Sequence, residues 1–315
     1  MSEVSSAARD RRPEVWAAWI AVDPKSRRLL ELAARVAAAP TTVLIRGESG
    51  VGKDLLAQLL HLLGPNAAEP LVKIDCASLP ADLVESELFG YEKGAFTGAE
   101  QSKPGRLELA GRGTLVLDEV AALGLPLQAK LLRVLEEKRF ERLGGRATIA
   151  ISARLMALTN ADLERAVAER TFREDLFYRL NVLPLTIPPL RERPLDIRPL
   201  AEHFIEQFAQ LQRRARPRLT AEALAALERH DFPGNVRELR NMMERAFIAG
   251  GAEIALRDLP LRAAVAAEEK TLEQVEKEYI AAVLQRHRGK KSETARVLGI
   301  SRKTLLEKRK RYHLD

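Results

Sequence analysis

A β-branched, apolar segment that runs straight into a glycine-rich loop constrains this chain more than any other stretch. Thr41-Thr42-Val43-Leu44-Ile45-Arg46 reads as a buried strand. It is followed by Gly47-Glu48-Ser49-Gly50-Val51-Gly52-Lys53-Asp54 and then by an apolar-periodic helix over 55–63. Strand, G-x-x-x-x-G-K and helix in that order make a phosphate-binding loop. The glycines let backbone N–H groups curl around an anion at a helix N-terminus, where the dipole adds to the attraction. Lys53 is placed to reach the β- and γ-phosphates of a nucleotide. Asp54 stands where a magnesium-binding Ser or Thr is usual. The fold class expected is α/β, a parallel sheet flanked by helices.

Two further apolar segments end in polar residues, and ligands bind at that end of such sheets. The strand over 114–117 runs into Asp118-Glu119. Asp118 is positioned to organise Mg²⁺ and Glu119 to orient or deprotonate an attacking water, the two tasks phosphoryl transfer requires. A helix N-cap is the plainer role for the pair. The segment over 155–158 ends in Thr159-Asn160, whose amide either positions the water or the γ-phosphate or forms a turn. Between loop and acidic pair lies Gly94-Ala95-Phe96-Thr97-Gly98-Ala99, in which two glycines bracket an aromatic and a threonine. Alone it reads as an ordinary turn with a locally packed Phe. A helix over 172–180 puts Phe172, Leu176 and Leu180 on one face. There an Asp175–Arg179 pair at i,i+4 is the structural expectation, and an arginine finger into a neighbouring subunit, from Arg173 or Arg179, is the functional one.

The length, 315 residues, allows two or three domains. Cys76 is the only cysteine, so no intrachain disulfide forms, and the five histidines show no metal-ligand spacing. No apolar run approaches a membrane span and the N-terminus lacks a secretory pattern, which fits a cytoplasmic protein. From Arg286 to Asp315 eleven Lys/Arg face three acids, a net +8 against +7 for the whole chain. The basicity therefore belongs to the C-terminal region and suggests a polyanion-binding module, or a solvated helix face. Prolines 184, 188, 189, 194 and 199 punctuate a connector before helical patterns at 200–213, 220–230 and 235–249, a small all-helical lid. Arg237 falls in a first helical turn, where it opposes the dipole and invites an anion. After an Ala/Glu-rich linker, a helix over 271–286 presents Leu272, Val275, Tyr279 and Val283 for burial. Ala295, Gly299 and Leu305 then keep helix-turn-helix spacing. Ser301 is a natural N-cap, and the helix after it would offer Arg302, Lys303, Thr304 and Lys308 to a major groove, with Arg309 and Arg311 near phosphates.

Residues 23–315 resemble the bacterial enhancer-binding proteins, AAA+ ATPases that activate sigma-54 RNA polymerase. The resemblance rests on GESGVGKD (47–54), ESELFGYEKGAFTGA (85–99), GTLVLDEV (113–120), QAKLLRVLEEKRFERLGG (128–145), FREDLFYRLNV (172–182), PPLRER (188–193) and PGNVRELRN (233–241). It implies an extension over 1–22, an AAA+ α/β subdomain over 23–187, a helical lid over 188–258, a linker over 259–270 and a Fis-like helix-turn-helix domain over 271–315. The implied cofactors are ATP and Mg²⁺. By motif position Gly47 to Asp54 are Walker A, Asp118 and Glu119 Walker B, and Asn160 sensor I. Arg173 and Arg179 are the trans arginines and Arg237 sensor II. Gly94 to Ala99 become the loop that contacts sigma-54.

Implied partners are the sigma-54 RNA polymerase holoenzyme and double-stranded enhancer DNA, contacted by residues including Lys291 and Ser301. A homo-oligomer is implied as well, a dimer on DNA and a hexameric ring when active. Three departures stand out. Asp75 replaces an Asn that, in many members, couples the Walker B glutamate to the ligand; a carboxylate there brings like charge toward Glu119. Val51 replaces a common Thr. Only about 22 residues precede the ATPase, so control is expected from expression level or a regulatory partner protein. Rival readings are a regulator of ordinary promoters that keeps the ATPase fold as a ligand sensor, and an ATP-dependent clamp.

Overall fold

A computed structural model describes residues 19–260, 272–287, 290–312 and 314. The chain forms two compact units, Met1–Pro260 and Leu261–Asp315. The first is built on a five-stranded parallel sheet. Its strands are β1 (Val43–Arg46), β2 (Leu71–Asp75), β5 (Thr114–Asp118), β8 (Arg154–Thr159) and β9 (Leu183–Thr186), in spatial order β2-β5-β8-β1-β9. Side chains alternate between two cores, as strand geometry requires. Leu44, Leu115, Leu117, Leu155 and Ala157 enter one core with Val84, Leu88, Leu131 and Leu176. Val43, Ile45, Val116, Met156 and Leu158 enter the other with Leu29, Leu56, Leu59 and Leu60. Both faces are therefore covered by helices, and these strands carry almost no polar residue until their ends. Helix α1 (Pro24–Ala37) and helix α2 (Lys53–Leu62) cover the second face; α3 (Ala81–Phe89), α5 (Leu125–Glu137) and α7 (Glu174–Leu180) cover the first, with α4 (Arg106–Leu109) and α6 (Leu163–Ala168) alongside. As the pattern implied, Phe172, Leu176 and Leu180 are all buried.

Two small antiparallel ribbons stand apart from the sheet. One pairs β3 (Gly90–Tyr91) with β4 (Lys103–Pro104), the other β6 (Arg139–Glu141) with β7 (Thr148–Ala150). Beyond β9 come three lid helices, α8 (Ile197–Gln212), α9 (Ala221–Glu228) and α10 (Asn235–Ala249). The lid is not purely helical, because β10 (Arg218–Leu219) and β11 (Glu253–Ile254) form a short parallel ribbon.

The second unit holds α11 (Leu272–Arg286), α12 (Lys291–Val297) and α13 (Arg302–Tyr312) around Ile280, Ala295, Leu305 and Tyr312. Gly299 takes φ 66° at the turn, and the Ser301 hydroxyl accepts the Thr304 N–H at 3.0 Å, the expected cap. Tyr279 is exposed rather than buried and its neighbour Ile280 is buried in its place, while Val283 is buried as expected. The side chains of Leu272 and Val275, the linker over 261–270 and residues 1–18 lie outside the described residues.

Candidate functional site

The phosphate loop joins β1 to α2 at the C-terminal edge of the sheet. Gly50 and Gly52 adopt φ 79° and 110°, a region that L side chains avoid. A Cβ on Gly50 would meet the Gly234 carbonyl at 2.4 Å, so only glycine lets the loop tip reach the lid. There the Gly50 carbonyl accepts the N–H groups of Val236 and Arg237 at 3.1 and 3.3 Å, and Arg237 donates to Ser49 Oγ at 2.9 Å. Val51 buries its side chain in the core, so its difference from Thr leaves the loop backbone free to bind.

Lys53 is 8% exposed; its amine donates to the Gly47 carbonyl at 2.9 Å and lies 3.4 Å from Glu119. Glu119 sits at φ 52° just beyond β5, at the N-cap position of the short 3-10 turn Val120–Ala122, where its side chain makes no capping bond. Its other oxygen accepts the Asn160 N–H at 3.1 Å. Thus the loop lysine, the acidic pair and Asn160 meet across three strand ends, and the Asn160 side chain is exposed beside them.

Asp118 and Asp54 close on a cation the sequence did not single out. Lys73, on β2, lies 2.7 Å from Asp118 Oδ2 and also pairs with Asp54. Burial works against the charge on Lys73, and the two carboxylates outweigh it, holding the amine above the ordinary lysine range. Two hard carboxylates gathered on one cation suit magnesium. Among the described residues no cluster of three or more His, Cys, Asp or Glu could hold a metal alone. Asp75 does not reach for Glu119: its Oδ1 accepts the N–H groups of Ala77 and Ser78 at 2.9 and 3.2 Å. Next to it, burial and then the charges of Asp75, Asp118 and Glu119 push the Cys76 thiol up to about 12.

The lid is fastened to the loop by residues outside the expected site. Arg191 grips Glu48 with two bonds of 2.9 and 2.6 Å, and buried Asn235 adds a third at 3.0 Å. These hydrogen bonds hold Glu48 down at about 2. Asn235 also donates to the Ser49 carbonyl and accepts from Leu190 N–H. Arg193, 2% exposed, donates to the Val51 carbonyl at 3.0 Å and faces Asp196 at 3.8 Å.

Arg173 and Arg179 are exposed and touch none of the loop residues of their own chain. The expected Asp175–Arg179 pair is absent. Arg173, extended at the helix N-cap, folds over Asp175 with bonds of 3.0 and 2.7 Å, while Arg179 donates to the Leu135 carbonyl. The hexapeptide tops the β3–β4 ribbon. Gly94 and Gly98 take φ 84° and 99°, and the Gly94 N–H donates to the Ala99 carbonyl at 2.8 Å. Ala99 is buried, Thr97 exposed and Phe96 46% exposed, its ring edge-on to Tyr91 at 4.9 Å. At the base Arg142, from the neighbouring ribbon, joins Glu92 and Glu108, and Gly144 fits beneath Ala95.

Residues 19–186 match the sigma-54 interaction domain, 191–276 the AAA+ ATPase lid domain and 271–312 the Fis family of bacterial regulatory proteins. The chain belongs to the sigma-54-dependent transcription activators, AAA+ ATPases with a Fis-type helix-turn-helix. It is 44% identical over 316 residues to the regulatory protein AtoC of Escherichia coli, covering 95% of this chain and 68% of AtoC. To the response regulator FleR of Pseudomonas aeruginosa it is 52% identical over 229 residues, 73% of this chain and 48% of FleR, so it spans half to two thirds of these relatives. The crystal structure of NtrX from Brucella abortus in complex with ATP superposes with a TM-score of 0.75 at 35% identity, covering 93% of this chain and 69% of that one. No described helix is long and apolar enough to cross a membrane.

In the second unit Lys291, Arg302 and Lys303 are exposed, and Thr304 is half-buried against Ser301. Lys308 and Arg311 instead reach back to α11, to Glu276 at 2.5 Å and Glu273 at 2.7 Å, and Arg309 donates to the Leu314 carbonyl.

Proposed function

We propose that this sigma-54-dependent activator hydrolyses ATP at the Gly47–Asp54 loop and delivers the resulting movement through Phe96 and Thr97 to the sigma-54 holoenzyme, while α13 binds enhancer DNA. The observation that carries the reading is the pairing of an assembled loop–acid–asparagine site with a glycine-hinged hexapeptide held outward on its own ribbon. Backbone N–H groups of the loop and Lys53 bind the phosphates. Glu119, held by Lys53 and the Asn160 N–H, takes a proton from water as water attacks the γ-phosphorus and the bond to the β-phosphate oxygen breaks. Mg²⁺, held by Asp118 with Asp54 beside it, would neutralise charge on the phosphate oxygens. Arg237 reports the phosphates to the lid through the same helix start that touches Gly50 and Ser49.

Arg173 and Arg179 act in a neighbouring subunit, a role that their distance from their own loop supports; it requires a ring, which we take to be a hexamer in the cytoplasm. Arg302, Lys303 and Thr304 read the major groove, with Lys291, Ser301 and Arg309 at phosphates. Lys308 and Arg311 are ready to exchange Glu276 and Glu273 for DNA phosphates. Purified components test the core of this: Thr97→Ala should abolish open-complex formation on a sigma-54 promoter while ATPase activity stays largely intact. Normal transcription from that variant would sink the assignment of the loop.

A further inference from the structure

Lys73 occupies a position that no loop or strand-end motif explains. It lies on β2, opposite Val116 of β5, and its side chain remains 42% exposed. Its amine is nevertheless the point on which two carboxylates from different elements meet, Asp118 at the end of β5 and Asp54 in the first turn of α2. A cation placed between them offsets the repulsion of two like charges held around one point. Lys53 cannot serve, because its amine is engaged by Gly47, Glu48 and Glu119.

We propose that Lys73 is a built-in counter-ion, occupying the place between Asp54 and Asp118 that a divalent cation takes, and that it must swing aside for the cation to enter. The inference rests on the nucleotide site proposed above. A long, half-exposed lysine stem has the rotamer freedom for that movement, and its head can move into solvent without being buried elsewhere. While the site lacks a metal, Lys73 keeps the two aspartates from repelling each other and preserves the edge of the site. The consequence is a metal affinity set below what the two carboxylates alone would give.

The test is Mn²⁺ binding, standing in for Mg²⁺, measured by electron paramagnetic resonance on the full chain without nucleotide. Lys73→Met removes the competing charge without removing the stem, and should tighten Mn²⁺ binding about ten-fold or more, as expected for one close like charge. Lys73→Gln should move the same way, and thermal melts verify that each variant is folded. In the wild type, acylation mapped by mass spectrometry should label Lys73 faster with Mn²⁺ present. Folded variants with unchanged or weaker Mn²⁺ binding, or wild-type labelling that does not rise, overturn the counter-ion role. ADP binding to the wild type separates the two failures: its absence would overturn the nucleotide site, whereas intact ADP binding with unchanged Mn²⁺ affinity would remove Lys73 alone.

Discussion

Arg193 joins three parts of the first unit, and its removal should show how much that junction contributes. The guanidinium is 2% exposed, donates to the Val51 carbonyl at 3.0 Å and lies 3.8 Å from Asp196, itself fully buried. Asp196 in turn accepts from Val22 N–H at 2.7 Å, Asp23 N–H at 2.8 Å and the Ser26 hydroxyl. Arg193→Met keeps the apolar stem and loses one charged hydrogen bond, a loss of about 1.5–3 kcal/mol. Against this, Arg193 Nε has no partner among the described residues, and removing that buried donor returns on the order of 1 kcal/mol. Asp196 retains its three other donors and stays satisfied.

The net expectation is a destabilisation of about 0.5–2 kcal/mol, and a fall in Tm of about 1–8 °C for a unit of this size. Asp196→Ala should cost more, about 3–5 kcal/mol, because it strands a buried guanidinium and the N–H groups of Val22 and Asp23. In the double variant the stranded charge is gone, so the two effects should add to less than their sum. Urea and thermal melts followed by circular dichroism measure all three. An Arg193→Met variant within about 0.5 kcal/mol of wild type, the spread of ordinary surface changes, would refute the reasoning. Strict additivity in the double variant would do the same.

Three other outcomes follow from the site. Lys53→Ala should lose nucleotide binding, while Glu119→Gln should bind ADP normally and turn over ATP about a hundred-fold or more slowly; equal ATPase rates in wild type and Glu119→Gln would remove Glu119 from the chemistry. Mixing Arg179→Ala with Lys53→Ala subunits should restore part of the ATPase activity, and none at any ratio would count against arginines acting in trans. Because Glu48 is held at about 2 against an ordinary 4.5, its contribution is full above the higher value and disappears as pH falls through the lower. With both side chains of the Glu48–Arg191 pair 42% exposed, screening limits that contribution to about 1 kcal/mol. Glu48→Gln should therefore be less stable than wild type at neutral pH in urea melts, with the gap narrowing as acid is added.

The residues legible in the sequence are those whose role is set by neighbours in the chain. A strand, a glycine loop and a helix start lie within about twenty residues, so the phosphate loop could be read directly, and Asp118, Glu119 and Asn160 followed from strands that end beside it. Lys73, Arg191 and Arg193 escaped because their partners come from other elements; Arg191 meets Glu48 across 143 residues and Arg193 meets Val51 across 142. PPLRER was visible as a motif, yet nothing in it says that its arginines clamp the loop. Helical spacing also misled twice. Arg173 precedes the first helical residue and its side chain takes Asp175 two positions on, while Arg179, four residues from Asp175 on the same helix, donates to the Leu135 carbonyl instead. On α11 a period counted from Leu272 chose Tyr279, one residue short of the core position that Ile280 takes.

Cys76, the chain's only cysteine, is buried and its thiol is held at about 12 by burial and three nearby carboxylates. Near neutral pH its reactive thiolate is therefore far scarcer than that of an exposed cysteine. A thiol introduced by Thr97→Cys or Tyr178→Cys would then take a maleimide dye alone, with no need to replace the native residue beside Asp75 and Asp118. The acidic edge that serves the phosphates so keeps the molecule chemically silent to thiol reagents, and a single fluorophore can follow the hexapeptide through a round of ATP.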